Sequence, residues 1–198
     1  MDELLKKEFD RHRKAQTKHK ICEQFGVDAI PLNHEKLDIW RHNFAGLETL
    51  HKPTNLLIFG AVDDIWVNPA GEWIVVDYKA TSKRAEITLD TKWGKGYKRQ
   101  LEIYQWILKQ NGEPVSETAY ILYCNNILDR EDFDNRLDFE VSMFKHEGDT
   151  SWVEPKIIEA HKALVSGQIP SPAEDCEYCA YREAARLKEV DVTKEINQ

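Results

Sequence analysis

The 198-residue chain has no run of eighteen apolar residues, so no transmembrane helix is expected. Its N-terminal segment is charged throughout and contains no apolar stretch, which makes a secretory signal unexpected. There are only four cysteines, and two of them are isolated in the sequence, unlike a disulfide framework. A reducing, cytoplasmic location is therefore expected.

The chain also has little positive charge overall, since 27 Lys and Arg against 35 Asp and Glu give a net charge of −8. This balance argues against indiscriminate binding to nucleic acid. Between Lys79 and Arg99, however, five lysines and two arginines face only Glu86 and Asp90, a local charge of +5. Such a segment suits a substrate that carries phosphate, although a solvated loop with a chance run of charge also explains it.

The apolar content of 41% is ordinary for one globular domain with a core. Helical and strand patterns alternate in the order helix, hairpin, helix, strands, which predicts a mixed α/β fold around one sheet. We expect one domain over 1–190, made of an N-terminal extension (1–34), a core (35–150) and a C-terminal helical region (151–190). Helices are predicted over 1–18, 35–51, 98–110 and 152–165, strands over 118–124 and 137–144, an irregular segment over 19–34, a partly helical one over 176–190, and a flexible tail over 191–198.

Acidic residues interrupt the most apolar stretch of the chain, residues 55–80. Two strands joined by a turn at residues 68–71 predict a hairpin there. Side chains alternate between the faces of a strand, so Asp77 and Lys79 are expected on one face and Tyr78 on the other.

The first strand of this hairpin would place Asp63 and Asp64 opposite Asp77. Converging carboxylates are costly to bury without compensation, and a divalent metal ion would compensate them. The alternative is a pair of exposed acids at a sheet edge that pair with Lys79. Alternation does not decide between Asp63 and Asp64, because apolar residues lie on both faces of the first strand.

Three motifs, GAVDDI (60–65), VVDYKAT (75–81) and QLEIY (100–104), together resemble the RecB-like branch of the PD-(D/E)XK nuclease superfamily. This branch includes the CRISPR-associated RecB-like exonucleases. The resemblance covers roughly residues 35–185. It implies a restriction-endonuclease-like fold, in which helices flank a mixed central sheet.

The resemblance also implies roles for the hairpin residues. Asp63, selected over Asp64 by the motif, and Asp77 would bind Mg²⁺ or Mn²⁺, with the main-chain carbonyl of Tyr78 as a further ligand. Lys79 would orient or activate the attacking water and stabilise charge on the phosphate. These metals prefer oxygen ligands, and a bound metal makes hydroxide available near neutral pH.

Gln100 and Tyr104 are four residues apart and so share one face of a helix. In the resembling family, these positions lie near the active site and the DNA backbone. The alternative is an ordinary amphipathic helix with Leu101, Ile103 and Trp106 turned inward.

The segment just before them, residues 92–99, interleaves aromatic rings with cations, and a loop is predicted there up to the helix that begins near Lys98. Aromatic and basic side chains suit stacking on bases and binding phosphates of a single strand. A mobile loop without a partner fits equally well. The predicted DNA contacts are Trp93, Lys95, Lys98 and Arg99, together with Gln100 and Tyr104.

The chain departs from the family in its upstream metal ligand. RecB-like nucleases often carry a histidine in a G-X3-H pattern, and no such pattern is present. Asp2, Glu8, His12 or His51 could substitute, or each could be a surface residue.

The iron–sulfur members of the family use four cysteines. Cys176 and Cys179 resemble the C-terminal part of that set, Cys22 is a doubtful third, and Cys124 is expected to be a small core residue. A complete cluster is therefore not expected. Family members commonly begin with a further cysteine-bearing helix, so a truncated or shortened chain is expected.

The leading hypothesis is a metal-dependent DNA nuclease that prefers single strands or ends. The alternatives are a silent nuclease-fold module that holds DNA or a helicase partner, and a phosphohydrolase of small nucleotides. The intact set of Asp63, Asp77 and Lys79 favours the first, and the missing upstream ligand leaves room for the second. DNA repair and CRISPR-associated processing are both compatible with the resemblance.

Overall fold

A computed structural model describes the backbone of residues 1–196 and the side chains of residues 1–188. Six helices and seven strands alternate along this part of the chain. In chain order they are α1 (Asp2–Ala15), α2 (Lys20–Gln24), β1 (Ile30–Pro31), α3 (Leu37–Trp40), β2 (Leu47–His51), β3 (Leu56–Gly60), β4 (Asp64–Val67), β5 (Trp73–Thr81), α4 (Lys92–Gln110), β6 (Thr118–Asn126), β7 (Phe139–Glu147), α5 (Val153–Val165) and α6 (Glu177–Ile196).

The main sheet has five strands in the order β1-β4-β5-β6-β7. Three of its four neighbouring pairs are antiparallel, but β5 and β6 are parallel. A parallel pair needs a crossover connection, and α4 provides it. Strands β2 and β3 form a separate two-stranded sheet. The mixed sheet flanked by helices confirms the predicted α/β, restriction-endonuclease-like architecture.

Side chains of β5 alternate between two hydrophobic cores. Trp73 and Val75 belong to the core that includes α4, while Ile74, Val76 and Tyr78 belong to the core that includes α1. Alternation places Asp77 and Lys79 on the α4 side of the strand. The α4 side of β5 is therefore apolar at Trp73 and Val75 and polar at Asp77 and Lys79.

The predicted helix over residues 35–51 is wrong. Only Leu37–Trp40 is helical, and Leu47–His51 is a strand paired with β3. Gly46 has a φ of +62° between them, a backbone conformation that a helix does not contain. The apolar residues that recur every three or four positions are divided between a short helix and a strand.

The predicted hairpin is correct only for its second half. Strands β4 and β5 pair antiparallel around a turn in which Gly71 donates its N–H to the carbonyl of Asn68 at 2.9 Å. The first half of the hairpin's predicted first strand is instead β3, which pairs with β2 in the smaller sheet. Residues 61–63 separate the two strands, so the acidic pair lies where the chain changes sheets.

The predicted loop over residues 92–99 is also wrong, since α4 begins at Lys92. Thr91 caps the helix by accepting a hydrogen bond from the N–H of Gly94 at 3.0 Å. A Cβ at Gly94 would lie 2.1 Å from the carbonyl oxygen of Leu89, so this glycine permits a close backbone approach. Gly94, which in sequence favours a loop, is therefore a helical residue that allows α4 to pack closely against the main chain at Leu89.

The segment predicted to be irregular contains two short elements, α2 and β1. The other predicted elements, α1, β6, β7 and α5, are present with ends shifted by a few residues. The backbone of α6 continues to Ile196, so the expected tail over 191–198 begins within a helix, while residues 197 and 198 lie outside the described part. The flexibility expected for that tail stays a prediction.

By compactness the chain divides into a first unit, residues 1–158, and a second unit that begins at Glu159. The first unit contains both sheets and their helices through the start of α5. The single domain expected over residues 1–190 stays a prediction. No helix among the described residues is both long and apolar enough to cross a membrane.

Candidate active site

The candidate site lies where β5 extends beyond the end of its pairing with β4. The pairing of the two strands ends at Asp64, which lies opposite Val76. The next residues of β5, Asp77 to Lys79, therefore have no strand on that side. Their neighbour there is Asp63, which precedes β4.

Asp77 is almost fully buried, with 2% of its surface exposed. Its Oδ2 atom forms an ion pair with Nζ of Lys79 but receives no hydrogen bond of normal geometry. Burial raises the pKa of Asp77 to about 6; Lys79 opposes this rise and the nearby charge of Asp63 adds to it. The sequence prediction that Asp77 and Lys79 share a face of the strand is confirmed.

Asp63 is held in place from three directions. Its Oδ2 accepts the backbone N–H of Tyr78 at 2.9 Å, and its Oδ1 accepts Nζ of Lys6 at 2.9 Å. Nε of Arg41 donates to its main-chain carbonyl at 3.0 Å. The side chain keeps about 20% of its surface exposed, so solvent reaches the carboxylate.

Asp64 has a different environment, although it is the next residue. Its side chain is fully buried, and its Oδ1 accepts from Arg13 at 2.6 Å and from Arg41 at 3.0 Å. Its Oδ2 accepts the hydroxyl of Tyr78 at 2.7 Å and the indole N–H of Trp66 at 3.3 Å. These donors occupy the carboxylate, which makes Asp64 a structural residue of the α1-side core.

The side chain of Tyr78 lies in that same core, as the alternation of β5 predicts. Phe9 of α1 stacks on Trp66 beside it, with ring centroids 5.2 Å apart. Burial, together with the adjacent charge of Asp64, raises the pKa of the Tyr78 phenol well above its usual value. Only the main chain of Tyr78 faces the candidate site.

Helix α4 forms the other wall of the site. Gln100 donates a hydrogen bond to the hydroxyl of Tyr104 at 2.8 Å, so these two predicted residues do lie together. Burial raises the pKa of Tyr104, and the negative charges of Asp77 and Asp63 add to the rise. A Cβ at Gly60 would lie 2.5 Å from the ring of Tyr104, so glycine is needed there for close packing.

Four of the predicted DNA contacts, Trp93, Lys95, Lys98 and Arg99, lie on the first two turns of α4. Trp93 is 73% exposed, Lys95 and Arg99 are exposed, and Lys98 lies 3.7 Å from the carboxylate of Asp90. Tyr97, on the same turns, is close to the centre of the site, because Nζ of Lys79 lies 4.8 Å from its ring centroid. The basic segment therefore begins next to the acidic pair.

Of the four proposed upstream ligands, only Asp2 is connected to the site. It shares Nζ of Lys6 with Asp63, at 2.9 Å to each carboxylate. Glu8 pairs with His19, and His12 contacts Thr17. His51 contacts Glu154 and Thr54.

Sequence reasoning missed three residues around the acids: Lys6, Arg13 and Arg41. A partial signal for the first two was present, because Asp2 and Lys6 are four apart and Arg13 shares a helix face with the apolar Phe9. Their partners lie more than fifty positions away, and no local pattern identifies them.

The cysteines do not present four thiolates. Cys22 and Cys124 are buried in the α1-side core, and burial raises both thiol pKa values, that of Cys22 to about 11. Cys176 and Cys179 lie in the second unit as a free pair at the start of α6. A hydrogen bond from Cys179 lowers the pKa of Cys176.

Within the described residues, no group of three or more His, Cys, Asp or Glu side chains is placed to hold a metal ion. The site instead offers two carboxylates. Mg²⁺ commonly uses one or two carboxylates and completes its shell with waters and substrate phosphates. The pair Asp63 and Asp77 fits that donor set. The buried Oδ2 of Asp77 receives no hydrogen bond, and a bound metal ion would compensate for this.

A mixed sheet crossed by α4, with two acids and a lysine beside the beginning of β4, is consistent with a restriction-endonuclease-like fold. The family model of the PD-(D/E)XK nuclease superfamily matches residues 2–184. The chain belongs to that superfamily, whose members generally use divalent metals. No curated protein and no solved structure matches the chain.

Proposed function

We propose that the chain is a RecB-like, Mg²⁺- or Mn²⁺-dependent nuclease that hydrolyses phosphodiester bonds of DNA, with a preference for single strands or ends. The proposal rests on one observation above all. Asp63, Asp77 and Lys79 meet at the open edge of β5, where no strand competes for the same space.

Asp63 and Asp77 would hold the metal ion. The main-chain carbonyl of Tyr78 is a suitable third ligand, because the N–H of the same residue already points to Asp63. In an extended strand the N–H and C=O of one residue point toward the same edge. Three oxygens from this edge would leave room for waters and a phosphate oxygen.

When bound, the ion would supply a water of lowered pKa and positive charge for the phosphate. Lys79 adds a fixed positive charge on the same face of β5, next to Asp77. Its ammonium can orient the attacking water and stabilise charge that develops on the phosphate oxygens. The Tyr97 ring beneath it limits the directions in which Lys79 can move.

Helix α4 would guide the strand toward these groups. Lys95 and Arg99 are four residues apart on its exposed surface and suit phosphate binding. Trp93 offers an exposed ring for base stacking. Gln100 and Tyr104, which are joined by a hydrogen bond on the same helix, would contact the backbone of the cleaved nucleotide.

The test is cleavage of end-labelled single-stranded and double-stranded DNA in Mg²⁺, Mn²⁺ or EDTA. We expect metal-dependent cleavage that Asp63→Asn, Asp77→Asn and Lys79→Ala each reduce by at least about a hundredfold. Asp132→Asn and Lys52→Ala, which change exposed residues away from the site, are the matched controls. Cleavage that survives in Asp77→Asn would refute the assignment of the metal site.

A catalytically silent module that holds DNA or a helicase is the second candidate. One observation favours it: each carboxylate already has a lysine partner, Asp63 with Lys6 and Asp77 with Lys79. DNA binding with equal affinity in EDTA and Mn²⁺, and no product at any metal concentration, would select this candidate.

The RecB-like branch is proposed from the three motifs in GAVDDI, VVDYKAT and QLEIY. With this branch we also propose a role in DNA repair or CRISPR-associated processing, together with a helicase or another DNA-processing partner. The iron–sulfur cluster of some members is not part of the proposal, because Cys22 and Cys124 are core residues. Cys176 and Cys179 would supply only two of the four thiolates required.

A further inference from the structure

A groove of about 510 Å³ opens beside the candidate site. Phe59 and Gly60 of β3 form one side, and α4 forms the other with Gly96, Arg99, Gln100 and Tyr104. Ile103 and Trp152 complete its lining. Its volume lies within the range of about 300–1,000 Å³ that small-molecule sites occupy.

Phe59 is 57% exposed, although it lies in the middle of a paired strand. Its neighbours Ile58 and Gly60 are more buried, whereas Phe59 is exposed and belongs to the groove lining. A Cβ at Gly60 would lie 2.5 Å from the ring of Tyr104, so this glycine lets β3 approach α4 closely along the groove. An aromatic ring presented in this way offers a flat surface to another ring.

The opposite rim is cationic. Arg99 lines the groove and is exposed, and Lys95 lies one helical turn before it. A ligand that presents a flat apolar ring to Phe59 and an anionic group to Arg99 matches both sides. Nucleotides have this combination of a base and a phosphate.

The groove also leads to the reacting groups. Gly60 and Tyr104 both belong to its lining, and Gly60 lies three residues before Asp63 in the chain. A nucleotide bound against Phe59 would therefore be close in sequence to the one whose phosphate reaches the acids. A paired base is not available for such stacking, because its faces are covered by its neighbours in the duplex.

We propose that this groove holds one unpaired nucleobase of the DNA strand, stacked on Phe59, with Arg99 on the adjacent phosphate. The inference rests on the proposed nuclease function and specifies it. The substrate is a single strand or a frayed end, and Phe59 is a specificity residue rather than a catalytic one.

The experiment scans a single abasic position along an end-labelled strand and measures kcat/KM in Mn²⁺ for wild type, Phe59→Ala and Phe59→Trp. Phe44→Ala is the control, because Phe44 is 91% exposed and is not part of the groove lining. On intact strand, Phe59→Ala should lower kcat/KM by about 5- to 100-fold, the range of a single base–aromatic stack. Phe59→Trp should retain activity.

At one position of the strand, the abasic substitution should lower the kcat/KM of the wild type by a similar factor. The same substitution should cause no additional loss of kcat/KM in Phe59→Ala. Equal cleavage by wild type and Phe59→Ala would overturn the proposal. So would losses of kcat/KM from the abasic site and from Phe59→Ala that are independent, and therefore multiply, at every position of the strand. Either result would point to another occupant, such as an apolar side chain of a protein partner.

A second readout separates this proposal from the nuclease function. A strand with 2-aminopurine at one position is titrated with protein in EDTA, where no cleavage is expected. Quenching by the wild type and by Phe44→Ala but not by Phe59→Ala supports the stacking site even if no condition gives cleavage. Equal quenching by all three proteins would refute the stacking site even if the wild type cuts DNA.

Discussion

The carboxylates of Asp63 and Asp64 are bound by opposite ends of the same residue, Tyr78. Asp63 accepts its backbone N–H at 2.9 Å, and Asp64 accepts its phenol hydroxyl at 2.7 Å. Two adjacent acids are thereby separated onto the two faces of β5. One remains accessible to solvent, and the other is closed inside the core.

This separation predicts opposite effects for the two amide substitutions. Asp64→Asn should lower the free energy of unfolding by about 3–5 kcal/mol, because it removes the buried carboxylate between Arg13 and Arg41 and leaves Asp10 as the carboxylate that both guanidinium groups share. Asp63→Asn should abolish cleavage with a much smaller effect on stability. Urea unfolding and the end-labelled cleavage assay, run on both proteins, distinguish the two. A greater loss of stability in Asp63→Asn would reverse these roles.

The raised pKa of Asp77 predicts a stabilised but inactive variant. Because burial raises this pKa from 3.8 to about 6, ionisation favours the unfolded state, and the penalty develops as pH rises from about 4 to about 6. Above that window it amounts to at most about 3 kcal/mol. Asp77→Asn in EDTA should therefore be more stable than wild type at pH 8 and gain little at pH 4.5.

Denaturant unfolding at both pH values measures this difference, with the exposed Asp132→Asn as the reference for a general change in charge. A gain of equal size at both pH values would exclude titration of Asp77 as the cause. Loss of stability at pH 8 would show that the ion pair with Lys79 outweighs burial.

Lys6 predicts a change in the metal requirement. Its ammonium binds Oδ1 of Asp63, which is an atom that a metal ion would also use. Lys6→Met should therefore lower the Mn²⁺ concentration for half-maximal cleavage several-fold, while the lost ion pair costs only about 1 kcal/mol of stability. Lys7→Met, at an exposed position on the same helix, is the control. A higher metal requirement would instead identify Lys6 as a residue that positions Asp63.

Two glycines near the site predict opposite changes in stability. A Cβ at Gly60 would lie 2.5 Å from the buried ring of Tyr104, so Gly60→Ala should destabilise the protein by about 1–3 kcal/mol. Gly96 lies within α4 and has no atom within 4 Å of the position of an added Cβ. Gly96→Ala should stabilise by about 0.5–1 kcal/mol, as alanine does in a helix interior. Thermal unfolding of both variants measures the difference.

Much of the fold could be predicted from local patterns. Alternation along residues 73–79 correctly separates Asp77 and Lys79 from Tyr78, because successive side chains of a strand point to opposite faces whatever they contact. The turn at Asn68 and Gly71 was equally clear. Both features depend on residues close in sequence.

The errors had non-local causes. Residues 35–51 have apolar residues at helical spacing, but β3 recruits Leu47–His51 as a strand partner, and pairing with β3 prevails over the local periodicity. Residues 92–99 contain two glycines and read as a loop, yet Gly94 is required by its contact with Leu89. The environment of Asp63 depends on Lys6 and Arg41, whose contacts exist only after folding.

Arg41 links the parts of the chain that surround Asp63. One guanidinium donates to the carbonyl of Asp63 and to the carboxylates of Asp64 and Asp10. Val62, the preceding residue, is buried and donates its N–H to the carbonyl of Trp40 at 3.1 Å. The main chain at Asp63 is thus preorganised although it belongs to no strand. A cation that binds there needs only side-chain rotation, so its affinity is not reduced by the entropy of ordering a loop.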